Sequence, residues 1–269
     1  MMKNDLILKW LLFCCLEVYL FSNVVFAQTK HILEENDLVE FVTNQPAFSS
    51  KLTGSRQLLL VIISPKQQRS FHSTLRFYQK GRLGKWQRIL TVIPVNLGKN
   101  GIAWDREQQA FFDKAAQVNH SVKKEGDNKT PLGIYPIVAT FGFAQEPINR
   151  TFPYIHITQG TEAVDDIHSQ FYNRIVEANV AHRGWSSSEK MWKIPGYQLG
   201  LIIGFNAQHQ PGNGSNIFVH IWKNKNSPTA GCVAMSEEHL AQVLRHIDVH
   251  QHPFIAILPQ DVLTKTIPD

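Results

Sequence analysis

Two stretches decide how the chain reads: Ile217-Phe218-Val219-His220-Ile221-Trp222, and Thr229-Ala230-Gly231-Cys232-Val233-Ala234-Met235 after a loop from Lys223 to Pro228. Apolar residues alternate through the first. Ile217, Val219 and Ile221 therefore share one face of a strand while Phe218, His220 and Trp222 take the other, so His220 need not lie in a core. The second stretch runs straight into a helix start. Ser236 is placed as N-cap, Glu237 and Glu238 fall in the first turn, and Leu240, Val243, Leu244 and Ile247 form an apolar stripe that Pro253 closes off. A strand histidine and a cysteine in the turn before a helix are well placed to meet.

That pairing has a chemical use. A free thiol, with pKa about 8.5, is only a few per cent thiolate at neutral pH, and a neighbouring imidazole can take its proton. Gly231 permits close approach of a substrate backbone, and the Cys232 amide N–H is a candidate oxyanion donor. Taken singly, Cys232 reads as a buried structural thiol and His220 as a satisfied strand histidine; it is their surroundings that favour catalysis.

Working outward, most periodicity is that of strands. Leu58 to Ile63 is an unbroken apolar run suited to a buried strand, and Thr74–Tyr78 with Lys85–Leu90 reads as a hairpin turned by Gly81-Arg82-Leu83-Gly84. Val92-Ile93-Pro94-Val95 is a further strand that Pro94 would confine to an edge or a bulge. Trp104 to His120 is ambiguous between a helix and an insertion, and Lys123 to Pro131 is a polar loop. Gly133–Ile137, Tyr154–Thr158 and Phe254–Leu258 read as extended. The expected fold is β-rich α+β, a β-sandwich or partly open barrel with a few short helices and the cysteine in a turn before a C-terminal helix.

At the N-terminus, Lys3 and Lys9 precede an apolar stretch ending in Val25-Phe26-Ala27, the plan of a signal peptide cleaved after Ala27. Glu17, Ser22 and Asn23 interrupt the run of roughly 20 apolar residues that a membrane span needs. Expected boundaries are a leader over 1–27, an extension over 28–56 with one short helix around Leu33, Leu38, Val39 and Phe41, a catalytic domain over 57–259, and a tail over 260–269. The expected location is periplasmic or secreted. Of three cysteines, Cys14 and Cys15 leave with the leader, so the mature chain has one thiol and no internal disulfide. The charges lost with the leader cancel. The net charge of +5 suits anionic surroundings, but no Lys/Arg run is dense enough for nucleic acid.

Thr229-Ala230-Gly231-Cys232 together with the strand His220 resembles the YkuD-type L,D-transpeptidase domain, whose active site joins a strand histidine to a Ser/Thr-x-Gly-Cys turn. Lys124-Glu125-Gly126-Asp127, Thr130-Pro131-Leu132-Gly133, Val164-Asp165-Asp166, Tyr172-Asn173-Arg174 and Trp185-Ser186-Ser187 look like blocks of one branch of that family. The resemblance runs roughly from Leu58 to Leu258. It implies that Cys232 attacks the L,D bond of a peptidoglycan tetrapeptide stem, releasing D-alanine, and that an amine or water resolves the thioester. It further implies that His220 is oriented by the main-chain carbonyl of Ile221, with Gly231 completing the catalytic turn. Thr229, Trp222, Asp165, Asp166, Asn173 and Arg174 become candidate substrate contacts.

Two departures matter. Ala230 stands where many members have His, and Ala234 where many have Arg. Lys99, Lys123, Arg174 and Arg183 are the cations that would have to stand in. No cofactor is implied, and His246, His250 and His252 read as a solvated helix end rather than a metal site. Two other readings stay open: a hydrolase of the same fold, and a peptidoglycan-binding module without catalysis.

Overall fold

The computed structural model describes residues 35–44, 46–64, 70–110, 121–179, 183–260 and 262. The leader with its cleavage point, residues 111–120 of the ambiguous stretch and nearly all of the tail lie outside the described residues. By internal contacts the chain divides into units 1–37 and 38–269, and the fold below is that of the second.

Two helices open the described chain, α1 (Glu35–Asn44) and α2 (Pro46–Ser49). Val39, Val42, Phe48 and Leu52 are buried in the main core, so residues read as an extension contribute to it. β1 (Gln57–Ile63) is buried along its length, as its unbroken apolar run requires. β2 (His72–Lys80) and β3 (Trp86–Arg88) form the expected hairpin, with Gly84 at φ 80° in the turn. β4 (Ile93–Asn96), β5 (Ile102–Trp104) and the long β6 (Thr130–Gly142) follow. Next come β7 (Tyr154–His156), β8 (Thr161–Val164), β9 (Arg174–Glu177), β10 (Ser188–Lys190) and β11 (Leu199–Ile203). β12 (Phe218–Ile221), β13 (Val233–Met235), helix α3 (Glu237–His246) and β14 (Phe254–Pro259) complete the order.

The main sheet runs β1-β14-β6-β11-β12-β13-β4-β2, and β2 pairs back onto β1, so eight strands form a ring. Its thinnest seam is β13 to β4, where Ala234 and Asn96 are the one registered pair. The result is a partly closed barrel with few short helices, the β-rich class expected. Pro94 does not mark an edge strand. β4 has partners on both sides, and the proline is accommodated because Asn96, not Pro94, carries the link to β13.

The N-cap of α3 is Ser236, whose Oγ accepts the His239 N–H at 3.3 Å, and Leu240, Val243 and Leu244 are buried. The helix ends before Pro253: Ile247 turns extended at ψ 145° and a short 3-10 turn, Val249–Gln251, intervenes. A second, smaller sheet, β10-β8-β9, is organised on Glu162, which is 3 % exposed. Burial pushes its carboxyl up, but donors from Ser188, Trp185, Lys190 and Arg183 together hold it down to about 2. This anchors the strand whose end delivers Asp165. Beside the main core lies a second apolar cluster of Phe141, Ile157, Ala163, Met191, Tyr197, Phe218 and Cys232. It forms the floor of the candidate site.

Candidate active site

β12 and β13 are parallel neighbours, with His220 opposite Ala234. Ile217, Val219 and Ile221 enter the main core, while Phe218 enters the second cluster with Cys232, so the alternation read from the sequence is the one found. Cys232 immediately precedes β13. It is therefore a diagonal neighbour of His220, within reach of a ring and a thiol on adjoining strands.

The turn is held from several sides. Thr229 N–H donates to the Leu97 carbonyl and Lys99 N–H to the Thr229 carbonyl, each at 2.9 Å. Thr229 Oγ1 donates to the Cys232 carbonyl at 2.7 Å and accepts the Gly231 N–H at 3.1 Å. Thr229 thus shapes the loop that carries the thiol. Gly231 sits at φ 148°, and a Cβ there would come within 2.9 Å of the Lys129 carbonyl. The close approach that requires glycine is to the chain's own backbone.

His220 Nδ1 lies 2.8 Å from the Ile221 carbonyl. A carbonyl only accepts, so this contact puts the proton on Nδ1 and leaves Nε2 as the basic nitrogen. The Tyr197 ring meets the imidazole edge-on, at 5.2 Å and 80°. Gly196 leaves the space this needs, since a side chain there would collide with the Ile221 carbonyl and crowd His220 Nδ1. Burial pulls the imidazole down to about 4, against the opposing effect of the Ile221 carbonyl.

Cys232 is 6 % exposed and is the free cysteine among the described residues. Its Sγ donates to the Asn216 carbonyl at 3.4 Å and accepts the Phe218 N–H at 3.3 Å. His220 is not its hydrogen-bond partner. Burial, and then the charge of Glu189, push the thiol up to about 12, against Phe218 N–H and Lys123, which lower it. With values so placed, thiol and imidazole are both neutral at rest. Cys232 also packs in the second core cluster.

Both residues open on one cavity of about 910 Å³. Ile221, Trp222, Thr229, Gly231 and Asp165 also line it. Asp166, Asn173 and Arg174 do not. Asp166 Oδ2 accepts from Ser186 N–H and Oγ, each at 2.7 Å, which holds its carboxyl down at about 2. Asn173, at φ 58°, donates from Nδ2 to the Phe205 and Asn206 carbonyls and accepts the Asn216 N–H at 2.9 Å. It braces the segment beneath the thiol. Arg174 is exposed on β9. Of the four cations considered as substitutes for the arginine, Lys123 alone lines the cavity; it is 3 % exposed and paired with Asp127. Ala234 is buried, registered opposite Asn96 on the neighbouring strand, and also lines the cavity.

Three cavity residues escaped the sequence reading. Tyr197 hydroxyl donates to Glu189 Oε2 at 2.6 Å. Desolvation raises the Glu189 carboxyl despite that bond, with Asp165 and Glu125 adding to the rise. Asn216, 7 % exposed, supplies the carbonyl that receives the thiol. Pro195-Gly196-Tyr197 carried a visible turn signal, but nothing local to Tyr197, Glu189 or Asn216 marks a partner so distant in sequence.

No curated protein matches the chain. The L,D-transpeptidase catalytic domain, YkuD, matches residues 60–255, a span that contains both strands of the site, the cysteine turn and most of the barrel. With well over half its length so matched, the chain belongs to the family of L,D-transpeptidase (YkuD) catalytic domains.

Proposed function

We propose that the chain is an exported cysteine acyltransferase of peptidoglycan stem peptides, with Cys232 as nucleophile and His220 as base. The single observation that carries this is the sharing of one cavity by Cys232 and an imidazole whose Nε2 is left basic by the Ile221 carbonyl. Export is supported by the leader plan of residues 1–27.

In the first step a rotation about Cys232 χ1 releases Sγ from the Asn216 carbonyl, and His220 Nε2 takes the thiol proton as Sγ bonds to the substrate carbonyl carbon. The carbonyl π pair moves to oxygen. Collapse of the tetrahedral adduct expels D-alanine, whose nitrogen receives the proton from His220, and leaves a thioester on Cys232. In the second step an amine adds to that thioester, His220 accepts its proton, and the thiol leaves with the proton returned. The low basicity of the buried imidazole suits the second half of each step, because the imidazolium formed is a strong acid toward the leaving group.

An amine acceptor is favoured over water by the composition of the cavity wall. Glu125, Asp165 and Glu189 all line it, against an exposed Lys223 and a buried Lys123 that Asp127 neutralises. An excess of carboxylates concentrates ammonium groups near the thioester. Incubation of the secreted enzyme with a tetrapeptide muropeptide, followed by mass spectrometry of products, tests this. Cross-linked dimers with loss of D-alanine are expected; tripeptide alone would make the protein a hydrolase, and unchanged substrate would leave it a binding module.

A further inference from the structure

Among the described residues three buried side-chain polar atoms lack a hydrogen-bond partner: Asp165 Oδ1, Asn216 Nδ2 and His209 Nδ1. Two of these three residues line the cavity that holds Cys232. Burying a donor with nothing to receive its proton is costly, so an orphaned amide in an otherwise well-satisfied protein asks for a partner that arrives later. Asn216 is more than nine-tenths buried, and its neighbourhood is built rather than loose.

Its backbone is left-handed, at φ 53°, and is fixed in that state from outside. The Asn216 N–H donates to Asn173 Oδ1 at 2.9 Å, and Asn173 Nδ2 is tied to two carbonyls of the Phe205–Asn206 turn. Gly214, two residues earlier, donates its N–H to the Tyr172 hydroxyl at 3.0 Å. Adjacent Tyr172 and Asn173 therefore grip the segment at two points. The same residue whose amide is orphaned presents its carbonyl to Sγ at 3.4 Å. The residue that docks the nucleophile thus carries an unpartnered donor in the wall of the same cavity.

Resting on the reading of Cys232 as an acylated nucleophile, we infer that Asn216 Nδ2 is a second oxyanion donor, acting with the Cys232 N–H on the tetrahedral adduct. In that step the Sγ–C bond forms, the carbonyl π pair moves to oxygen, and the oxygen accepts from Nδ2; on collapse the pair returns and the donor is released. The orphan is thus satisfied only in the high-energy species. This is the arrangement that accelerates a reaction instead of tightening ground-state binding.

The test is Asn216→Gly, because glycine keeps the left-handed backbone and the carbonyl that receives the thiol while deleting the amide. Asn216→Asp, of equal shape but without the donor, is the second variant, and thermal melting shows that each is folded. Two reactions of Cys232 are followed by intact mass: acylation by a carbapenem, which passes through an oxyanion, and alkylation by iodoacetamide, which does not. Removing one oxyanion donor typically lowers the rate by about 10²–10³. The expected result is such a loss in the saturating rate of acylation in both variants, with the alkylation rate of Asn216→Gly unchanged. The inference is overturned if acylation is unaffected, if only the half-saturating carbapenem concentration rises, or if alkylation falls in parallel, which would make Asn216 a positioning residue. Wild type that alkylates but never acylates would instead defeat the parent reading, and this inference with it.

Discussion

Cys232 rests with its thiol on the Asn216 carbonyl, 3.4 Å away, and not on His220. With the thiol pushed up to about 12 and the imidazole down to about 4, the resting pair is neutral over the whole physiological range. Iodoacetamide should therefore alkylate Cys232 slowly at neutral pH, with a rate that climbs about tenfold per pH unit from 7 to 9 as the thiolate fraction grows. A fast rate that stays flat between pH 5 and 8 would mean a preformed thiolate–imidazolium pair.

Glu189 supplies a second reading of the same experiment. Its charge is one of the causes that raise the thiol, after burial. Glu189→Gln removes that charge while still able to bond the Tyr197 hydroxyl, so the alkylation profile should move to lower pH. A profile that stays in place or moves up contradicts an electrostatic link between the two.

His220 should leave a mark on stability as well as on rate. Its folded-state pKa of about 4 lies below the ordinary value of 6.5, so the unfolded chain binds a proton that the native imidazole refuses. The contribution is fully present above pH 6.5 and is lost as pH falls toward 4, by at most about 1.4 kcal/mol per pH unit. In denaturant titrations His220→Gln should lack this acid limb. Carbapenem acylation by the same variant, and by His220→Ala, should fall by about 10²–10⁴. His239 caps α3 through Ser236, away from the cavity lining, and His239→Ala should acylate normally. Were His239→Ala slow and His220→Ala fast, the base would be misassigned.

How much of this was legible beforehand differs from element to element. β12 and α3 were readable because their patterns are local: alternation places Phe218 and His220 on one face, and Ser236 with an apolar stripe caps and buries a helix. The Thr229–Cys232 turn was readable from its residues, although the reason for Gly231 was not, since the crowding atom is the carbonyl of Lys129. Asn173 reads in the sequence as a candidate substrate contact, whereas its amide is spent on backbone groups of Phe205, Asn206 and Asn216, because sequence shows polarity but not which backbone groups it must satisfy. Lys123 sat in what read as a solvated loop; burial of its side chain beside Asp127 is a tertiary fact with no local pattern.

Gly196 is a mechanical test of the site. A methyl group there would press on the Ile221 carbonyl and on His220 Nδ1, the two ends of the contact that sets the imidazole tautomer. Gly196→Ala should destabilise the protein by about 1–3 kcal/mol, as overpacking does, and should lower the acylation rate although no reacting group is removed. Acylation at the wild-type rate by a folded Gly196→Ala enzyme would show that this contact does not matter to the base.

The most direct measurement is the intact mass of the enzyme quenched during turnover of a tetrapeptide muropeptide, with peptide mapping of the modified residue. The expected result is a transient adduct on Cys232 equal to the substrate less D-alanine, absent in Cys232→Ala and accumulating slowly in His220→Ala. Product formation by Cys232→Ala, or turnover by wild type with the adduct on any other residue, would contradict the assignment of Cys232 as the nucleophile.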